Sequence, residues 1–271
     1  MSVIIFILAF TALFSYLWSL LSLGSLWFII LYVVLGFISS IIFLILLVFL
    51  FIFIALKSKP NNKYNHAILY QLLNFVRVIL RIKLEVVGKE NIPSETFVVY
   101  GNHKSNCDVF LVYLAYHRVM SAVAKKDLAK IPILKTIMKA FAVTPLDREN
   151  EREGVKALLK AIKLVKGGFN MIIFPEGGIK TREYETMSGF KAGSFKLAMK
   201  AEATISPISI IGSSKISKNA PWHKTKVKII IHKPIPSSVY LNENTFEIGD
   251  EVSKMIDKGV TTGEIQELQC S

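Results

Sequence analysis

The chain has 271 residues, with 33 Lys or Arg against 20 Asp or Glu, a formal net charge of +13, and 52% hydrophobic residues. Two cysteines, Cys107 and Cys270, do not suggest a disulfide framework, which agrees with a reducing compartment. The basic excess points to anionic partners, and its even spread, without an aromatic-interleaved cluster or a reading module, argues against nucleic acid.

Charge is absent from one end. Met1 to Leu56 contains no Lys, Arg, Asp, Glu or His. A helix needs about 20 apolar residues to cross a bilayer, so residues 1–56 predict a transmembrane hairpin, with helices over about 3–21 and 26–51 and its tip at Ser22–Ser25. A break at Gly36–Ser40 would leave too short a second span, and one long tilted helix is the alternative. No basic region precedes the apolar run, as a cleaved signal peptide requires. Lys57, Lys59 and Lys63 follow the second span at once. By the positive-inside rule they place both termini and the soluble part on the cytoplasmic side of the cell membrane.

Residues 57–82 read as a linker containing Pro60, then an amphipathic helix from His66 to about Leu80 with Leu69, Leu72, Leu73 and Val76 near helical spacing. Residues 83–271 read as one domain. Strands are predicted at Lys83–Val87, Thr96–Tyr100, Met120–Ala124, Phe141–Pro145, Asn170–Phe174, Thr204–Ile211 and Val227–His232. Helices are predicted to start near Asp108, on both sides of Pro132 within Lys125–Lys139, and over Asn150–Lys166 and Phe190–Lys200. The clearest is Asn150–Lys166, with an apolar stripe of Val155, Leu158, Leu159, Ile162 and Val165, and Gly167-Gly168 closing it. Strands alternating with helices predict an α/β domain with a mixed sheet.

Two stretches carry chemistry. The first is Asn102-His103-Lys104-Ser105-Asn106-Cys107-Asp108, on a strand-to-helix loop. A hydroxyl that attacks a thioester needs a base within hydrogen-bond reach, and imidazole suits neutral pH. A carboxylate on the other ring nitrogen fixes the tautomer and stabilises the imidazolium. Five positions between His103 and Asp108 allow this if the loop curls. Read alone, the pair is a satisfied loop histidine and a helix N-cap. Cys107 offers a rival thiol, or a small hydrophobe in the core. The second stretch is Phe174-Pro175-Glu176-Gly177-Gly178, a strand running into a turn, where Glu176 is placed to accept from a polyol and the glycines admit close backbone approach. Lys180-Thr181-Arg182 follows, and its cations suit phosphate. No HExxH or paired CxxC occurs, so no metal is expected.

In this order the stretches resemble the glycerolipid acyltransferase family represented by 1-acyl-sn-glycerol-3-phosphate acyltransferase. His103 and Asp108 match its N-H-x-x-x-x-D, Phe174 to Gly177 its F-P-E-G, and Phe190, Lys191 and Gly193 its F-K-x-G. Asp147-Arg148 resembles its second motif, Ile205-Ser206-Pro207-Ile208 its fourth, and Lys125-Lys126 its phosphate-binding segment. The likeness covers about Lys83 to Lys233. It departs after F-P-E-G, where Gly178, Ile179 and Lys180 replace the usual Thr-Arg-Ser.

The resemblance implies a membrane-anchored acyltransferase domain. His103 and Asp108 are catalytic, Lys126, Arg148, Lys180 and Arg182 bind phosphate, and Glu176 and Gly177 seat the glycerol. Acyl-CoA or acyl carrier protein is the donor, with no further cofactor, and a membrane lipid is the acceptor. The product is phosphatidic acid, made for phospholipid biosynthesis. An anionic phospholipid surface is the expected docking partner, with Lys125–Lys139 at the interface. The alternatives are another lysolipid or glycerol 3-phosphate as acceptor, or a membrane-anchored lipid-binding protein without turnover.

Overall fold

The computed structural model describes residues 2–20, 26–60, 62–146 and 150–268. The chain divides into two compact units, Met1–Ser58 and Lys59–Ser271.

The first unit is two apolar helices, α1 (Ser2–Ser19) and α2 (Leu26–Lys57). Two spans were expected from composition. Among the described residues one stretch, Ile30–Lys57 with a mean hydropathy of 3.3, is long and apolar enough to cross a membrane; the apolar part of α1, Leu8–Leu17, is shorter. α2 runs unbroken through Gly36–Ser40, and the expected tip at Ser22–Ser25 lies outside the described residues. The two helices pack on each other. Phe10 stacks on Phe43 with centroids 5.0 Å apart, and the hydroxyls of Thr11 and Ser40 share a 3.1 Å hydrogen bond. A Cβ at Gly36 would collide with the Ser15 hydroxyl and come within 2.7 Å of the Thr11 carbonyl oxygen, so only glycine permits this crossing.

The second unit opens with α3 (Lys63–Ile79), whose N-cap Asn62 accepts from the Tyr64 N–H at 2.9 Å. His66 is buried and its ring edge meets Phe141. Its Nε2–H donates to the Pro60 carbonyl at 2.8 Å, leaving Nδ1 to accept from the Tyr113 hydroxyl. Burial lowers the pKa of this imidazole.

The remaining elements are β1 (Ile82–Val87), β2 (Phe97–Gly101), α4 (Asp108–Tyr116), β3 (Met120–Lys125), α5 (Pro132–Ala140), β4 (Thr144–Leu146), α6 (Glu151–Lys166), β5 (Asn170–Ile173), α7 (Lys196–Ala201), β6 (Thr204–Ile211), α8 (Ile216–Asn219), β7 (Thr225–Ile231), α9 (Ser237–Tyr240) and α10 (Thr245–Thr262). The strands form a seven-stranded mixed sheet in the order β1-β7-β6-β2-β5-β3-β4. All neighbours are parallel except β6 and β7.

β2 lies at the centre and alternates between two cores. Val98 and Tyr100 pack with Ala161 and Val165 of α6, Leu197 of α7 and Val252 of α10. Phe97 and Val99 pack with Leu111, Val112 and Tyr116 of α4. Both faces are covered, so this strand reads as a continuous apolar run rather than an alternating one.

α6 begins where expected, with Asn150 accepting from the Glu153 N–H. Its buried stripe differs from the one expected. Val155 and Leu159 are exposed, whereas Ala157, Ala161 and Val165 are buried, with Leu158 and Ile162 partly so. Alanines at i and i+4 let the helix approach the sheet more closely than the larger side chains would. The expected helix over Phe190–Lys200 begins as a 3-10 turn at Ala192–Phe195, and α7 proper covers Lys196–Ala201.

α10 was not anticipated. It starts with a capping box in which Asn244 accepts from the Glu247 N–H and the Glu247 carboxylate accepts from the Asn244 N–H. Gly259 lies against the rings and hydroxyls beneath it: a Cβ there would come within 2.5 Å of His232 Nε2 and Ser209 Oγ. The Gln266 N–H donates to His232 Nδ1 at 2.9 Å, so Nε2–H donates to Ser209 Oγ at 2.7 Å, and that hydroxyl donates to the Ile256 carbonyl at 2.6 Å. A serine beside a histidine resembles a nucleophile and its base, but this pair is wired the other way. The imidazole donates a hydrogen bond to the hydroxyl oxygen and accepts none from it.

Burial lowers the His232 pKa from its ordinary 6.5 to about 4. The unfolded chain takes up this proton as pH falls through 6.5, while the folded chain does so only near 4. Folding stability therefore falls across that window, by up to about 3 kcal/mol, and is level above it. Thermal unfolding of the full chain in detergent between pH 7.5 and 5 checks this, and His232→Gln should flatten that part of the pH dependence.

Candidate active site

β2 delivers the first motif to the C-terminal edge of the sheet. Gly101, its last residue, lies so close to β6 that a Cβ would come within 2.7 Å of Ile208 Cγ1. Asn102 is fully buried and extends the ladder with its side chain. Its Oδ1 accepts from the Ile210 N–H and its Nδ2 donates to the Ile210 carbonyl, both at 2.7 Å. Nδ2 also donates to the Glu185 carbonyl at 2.8 Å. The chain can thus leave the sheet with the neighbouring backbone groups still paired, and His103 emerges there.

Asp108 opens α4 and the preceding residues curl back onto it. Its Oδ2 accepts from the Lys104 and Ser105 N–H groups, each at 2.8 Å, and lies 2.9 Å from His103 Nδ1. Backbone N–H groups only donate, so this oxygen is an acceptor and the ring proton sits on Nδ1. Nε2 keeps its lone pair. No protein group among the described residues hydrogen-bonds to Nε2, and the His103 side chain is 11% exposed while that of Asp108 is fully buried. The ring stacks on Phe174 with centroids 4.3 Å apart and planes 8° from parallel. Asp108 therefore serves the loop before its helix.

Cys107 precedes α4 and is half-buried. Burial pushes its thiol pKa up, which opposes thiolate formation and weakens the thiol rival. Cys270 lies outside the described residues.

β5 runs beside β2 and delivers the second motif to the same edge. Glu176 is buried and holds three protein donors. Its Oε1 accepts from the His103 N–H at 2.7 Å. Its Oε2 accepts from the Ser188 N–H at 2.9 Å and from Lys104 Nζ at 3.2 Å. Gly177 follows at φ +75°, and a Cβ there would come within 2.8 Å of Lys191 Cε. The stem of Lys191 therefore crosses the Glu-Gly turn, and its backbone N–H donates to the Pro175 carbonyl at 2.8 Å.

The structure gathers His103, Asp108, Glu176 and Gly177 into one cluster. The expected cations sit on other segments. Lys180 is exposed and donates to the Ser188 carbonyl at 3.1 Å. Arg182 is exposed on the same loop. Lys126 is exposed directly after β3, which is parallel to β5 and ends at the same edge. Arg148 lies outside the described residues. Sequence reasoning missed Lys104, Ser188 and Asp257, whose Oδ1 accepts from the Met187 N–H at 2.7 Å. Lys191 carried a signal, as a cation suited to phosphate within the F-K-x-G match.

A family model described as Acyltransferase matches residues 83–211. The chain is 31% identical over 202 residues to a chloroplastic 1-acyl-sn-glycerol-3-phosphate acyltransferase of Arabidopsis thaliana, covering 71% of this chain and 56% of that protein. It is 29% identical over 193 residues to a 1-acyl-sn-glycerol-3-phosphate acyltransferase of Saccharomyces cerevisiae, covering 69% of this chain and 62% of that protein. It thus spans less than two thirds of the length of these relatives. The crystal structure of the 1-acyl-sn-glycerophosphate (LPA) acyltransferase PlsC from Thermotoga maritima superposes with a TM-score of 0.64 at 26% identity, covering 76% of this chain and 83% of that one. The chain belongs to the acyltransferase family of glycerolipid acyltransferases.

Proposed function

We propose that this protein transfers a fatty acyl group from acyl-CoA or acyl carrier protein to the sn-2 hydroxyl of 1-acyl-sn-glycerol 3-phosphate, giving phosphatidic acid. The observation that carries the reading is the His103 imidazole, with Nδ1 on Asp108 Oδ2 at 2.9 Å, Nε2 left with its lone pair, and the His103 N–H tied to Glu176. The names of the relatives support the acceptor and the product.

In this mechanism Nε2 takes the proton of the sn-2 hydroxyl as its oxygen attacks the thioester carbonyl. Asp108 stabilises the imidazolium that forms. The tetrahedral intermediate collapses with loss of the thiolate, which takes the proton back from Nε2. The new ester leaves with the lipid, and no covalent enzyme intermediate is needed. Lys126, Arg148, Lys180 and Arg182 bind the acceptor phosphate, with Lys191 as a further cation beside Gly177. Glu176 and Gly177 shape the glycerol seat. General-base assistance contributes about 10²–10⁴-fold, so positioning supplies much of the remaining acceleration.

We assign residues 1–56 to a membrane hairpin, 57–82 to a linker and amphipathic helix, and 83–271 to the acyltransferase domain. The small-residue crossing at Gly36, Thr11 and Ser40 supports a hairpin that stays paired in lipid. Lys57, Lys59 and Lys63 support a cytoplasmic domain with both termini on that side. Exposed Leu128 and Ile131, among Lys125, Lys130 and Lys135, support contact of this segment with an anionic lipid surface.

Purified protein given labelled acyl donors and a panel of lysophosphatidate, other lysolipids and glycerol 3-phosphate should form phosphatidic acid fastest. A faster product from another acceptor would reassign the substrate, and no product at all would leave a lipid-binding protein. His103→Ala and Asp108→Asn should each lower turnover by at least about 10²-fold with unchanged membrane insertion. Normal turnover by His103→Ala would refute the base.

A further inference from the structure

Lys104 follows the proposed base in sequence and has no exposed surface. A buried ammonium is costly unless fully paired. Here Nζ donates to Glu176 Oε2 at 3.2 Å and to Ser188 Oγ at 3.1 Å, and it faces the Tyr184 ring 5.2 Å from its centroid. No lipid phosphate can reach it, so it stands apart from the exposed cations around the site.

Its partners lie on two other segments, the Glu176 turn and the loop bearing Tyr184 and Ser188. Glu176, which pairs with the ammonium, also accepts the His103 N–H at 2.7 Å and the Ser188 N–H at 2.9 Å. The loop bearing Ser188 is held from its far side by α10, where Asp257 accepts the Met187 N–H at 2.7 Å. Burial raises the Asp257 pKa, opposed by the Met187 N–H, with smaller influences of Glu176 upward and Lys104 downward.

We propose that Lys104 is a positioning residue. Its ammonium locks the His103 turn, the Glu176 turn and the loop at Ser188 into one body, and thereby fixes the imidazole against the incoming hydroxyl. Glu176 acts through the same lock, since its two oxygens are engaged by protein donors. This inference rests on His103 being the base.

The test uses the full-length protein in detergent, with steady-state kinetics on the donor and acceptor that the wild type uses best, alongside thermal unfolding. Lys104→Met should lower kcat by on the order of 10–100-fold, with KM for the acyl donor changed less than about twofold. Kinetics are read well below the unfolding temperature of each variant, so a merely structural ion pair would leave kcat near wild type in folded Lys104→Met, and that result would overturn the proposal. Lys104→Arg, which keeps a cation beside Glu176 and Ser188, should recover kcat at least in part. His103→Ala run in parallel separates the two claims. If it is inactive while Lys104→Met turns over normally, only the positioning role falls; if it turns over normally, the base assignment falls first and this inference with it.

Discussion

One carboxylate oxygen organises the site. Asp108 Oδ2 collects the His103 ring N–H and two backbone N–H groups from the intervening loop. These three donors replace hydration lost on burial, and all fall on this one oxygen, Oδ1 being buried without a partner among the described residues. Two of the three donors are main-chain groups whose positions follow from the curl of residues 103–105. The loop shape and the ring orientation therefore depend on each other. Asp108 also sits in the first turn of α4, where the helix dipole favours negative charge.

The second carboxylate repeats the logic across strands. Glu176 leaves β5 and reaches the backbone of His103 after β2, so adjacent parallel strands are tied at their ends as well as along their ladder. Open α/β sheets bind ligands beyond the carboxyl ends of their strands, and the loops after β2, β3 and β5 all leave that edge. Carboxylates build the frame, and Lys180 and Lys191 lie beside it. The frame also draws on residues past the family match at 83–211, since Asp257 of α10 anchors the loop that meets Glu176. Breaking a buried ion pair such as Lys104–Glu176 typically costs about 3–5 kcal/mol, which makes this frame stiff.

The strands were legible because a central strand covered on both faces, such as Phe97–Tyr100, is a short apolar run between turn residues. The His103–Asp108 contact was legible through the N-H-x-x-x-x-D resemblance, since the spacing alone allows a local curl but does not require it. The long-range parts were not. Burial of Lys104 depends on Glu176, 72 residues away, and no local pattern announces an ammonium with a distant partner. Glu176 read as a free acceptor for the same reason. The α6 stripe held at Leu158, Ile162 and Val165 but missed Ala157 and Ala161, because alanine contributes little to an apolar pattern yet allows the closest packing. α10 escaped because its buried face mixes Gly249, Ser253 and Gly259 with Ile248, Val252 and Ile256.

The most direct measurement is the protonation site of the His103 ring in its neutral form, read by ¹⁵N NMR of side-chain-labelled histidine in the detergent-solubilised protein. The chain has five histidines, so a His103→Gln spectrum supplies the assignment. The account predicts a protonated, hydrogen-bonded Nδ1 and an unprotonated Nε2. A neutral ring carrying its proton on Nε2 would contradict it, because that nitrogen could not then accept a proton from an alcohol.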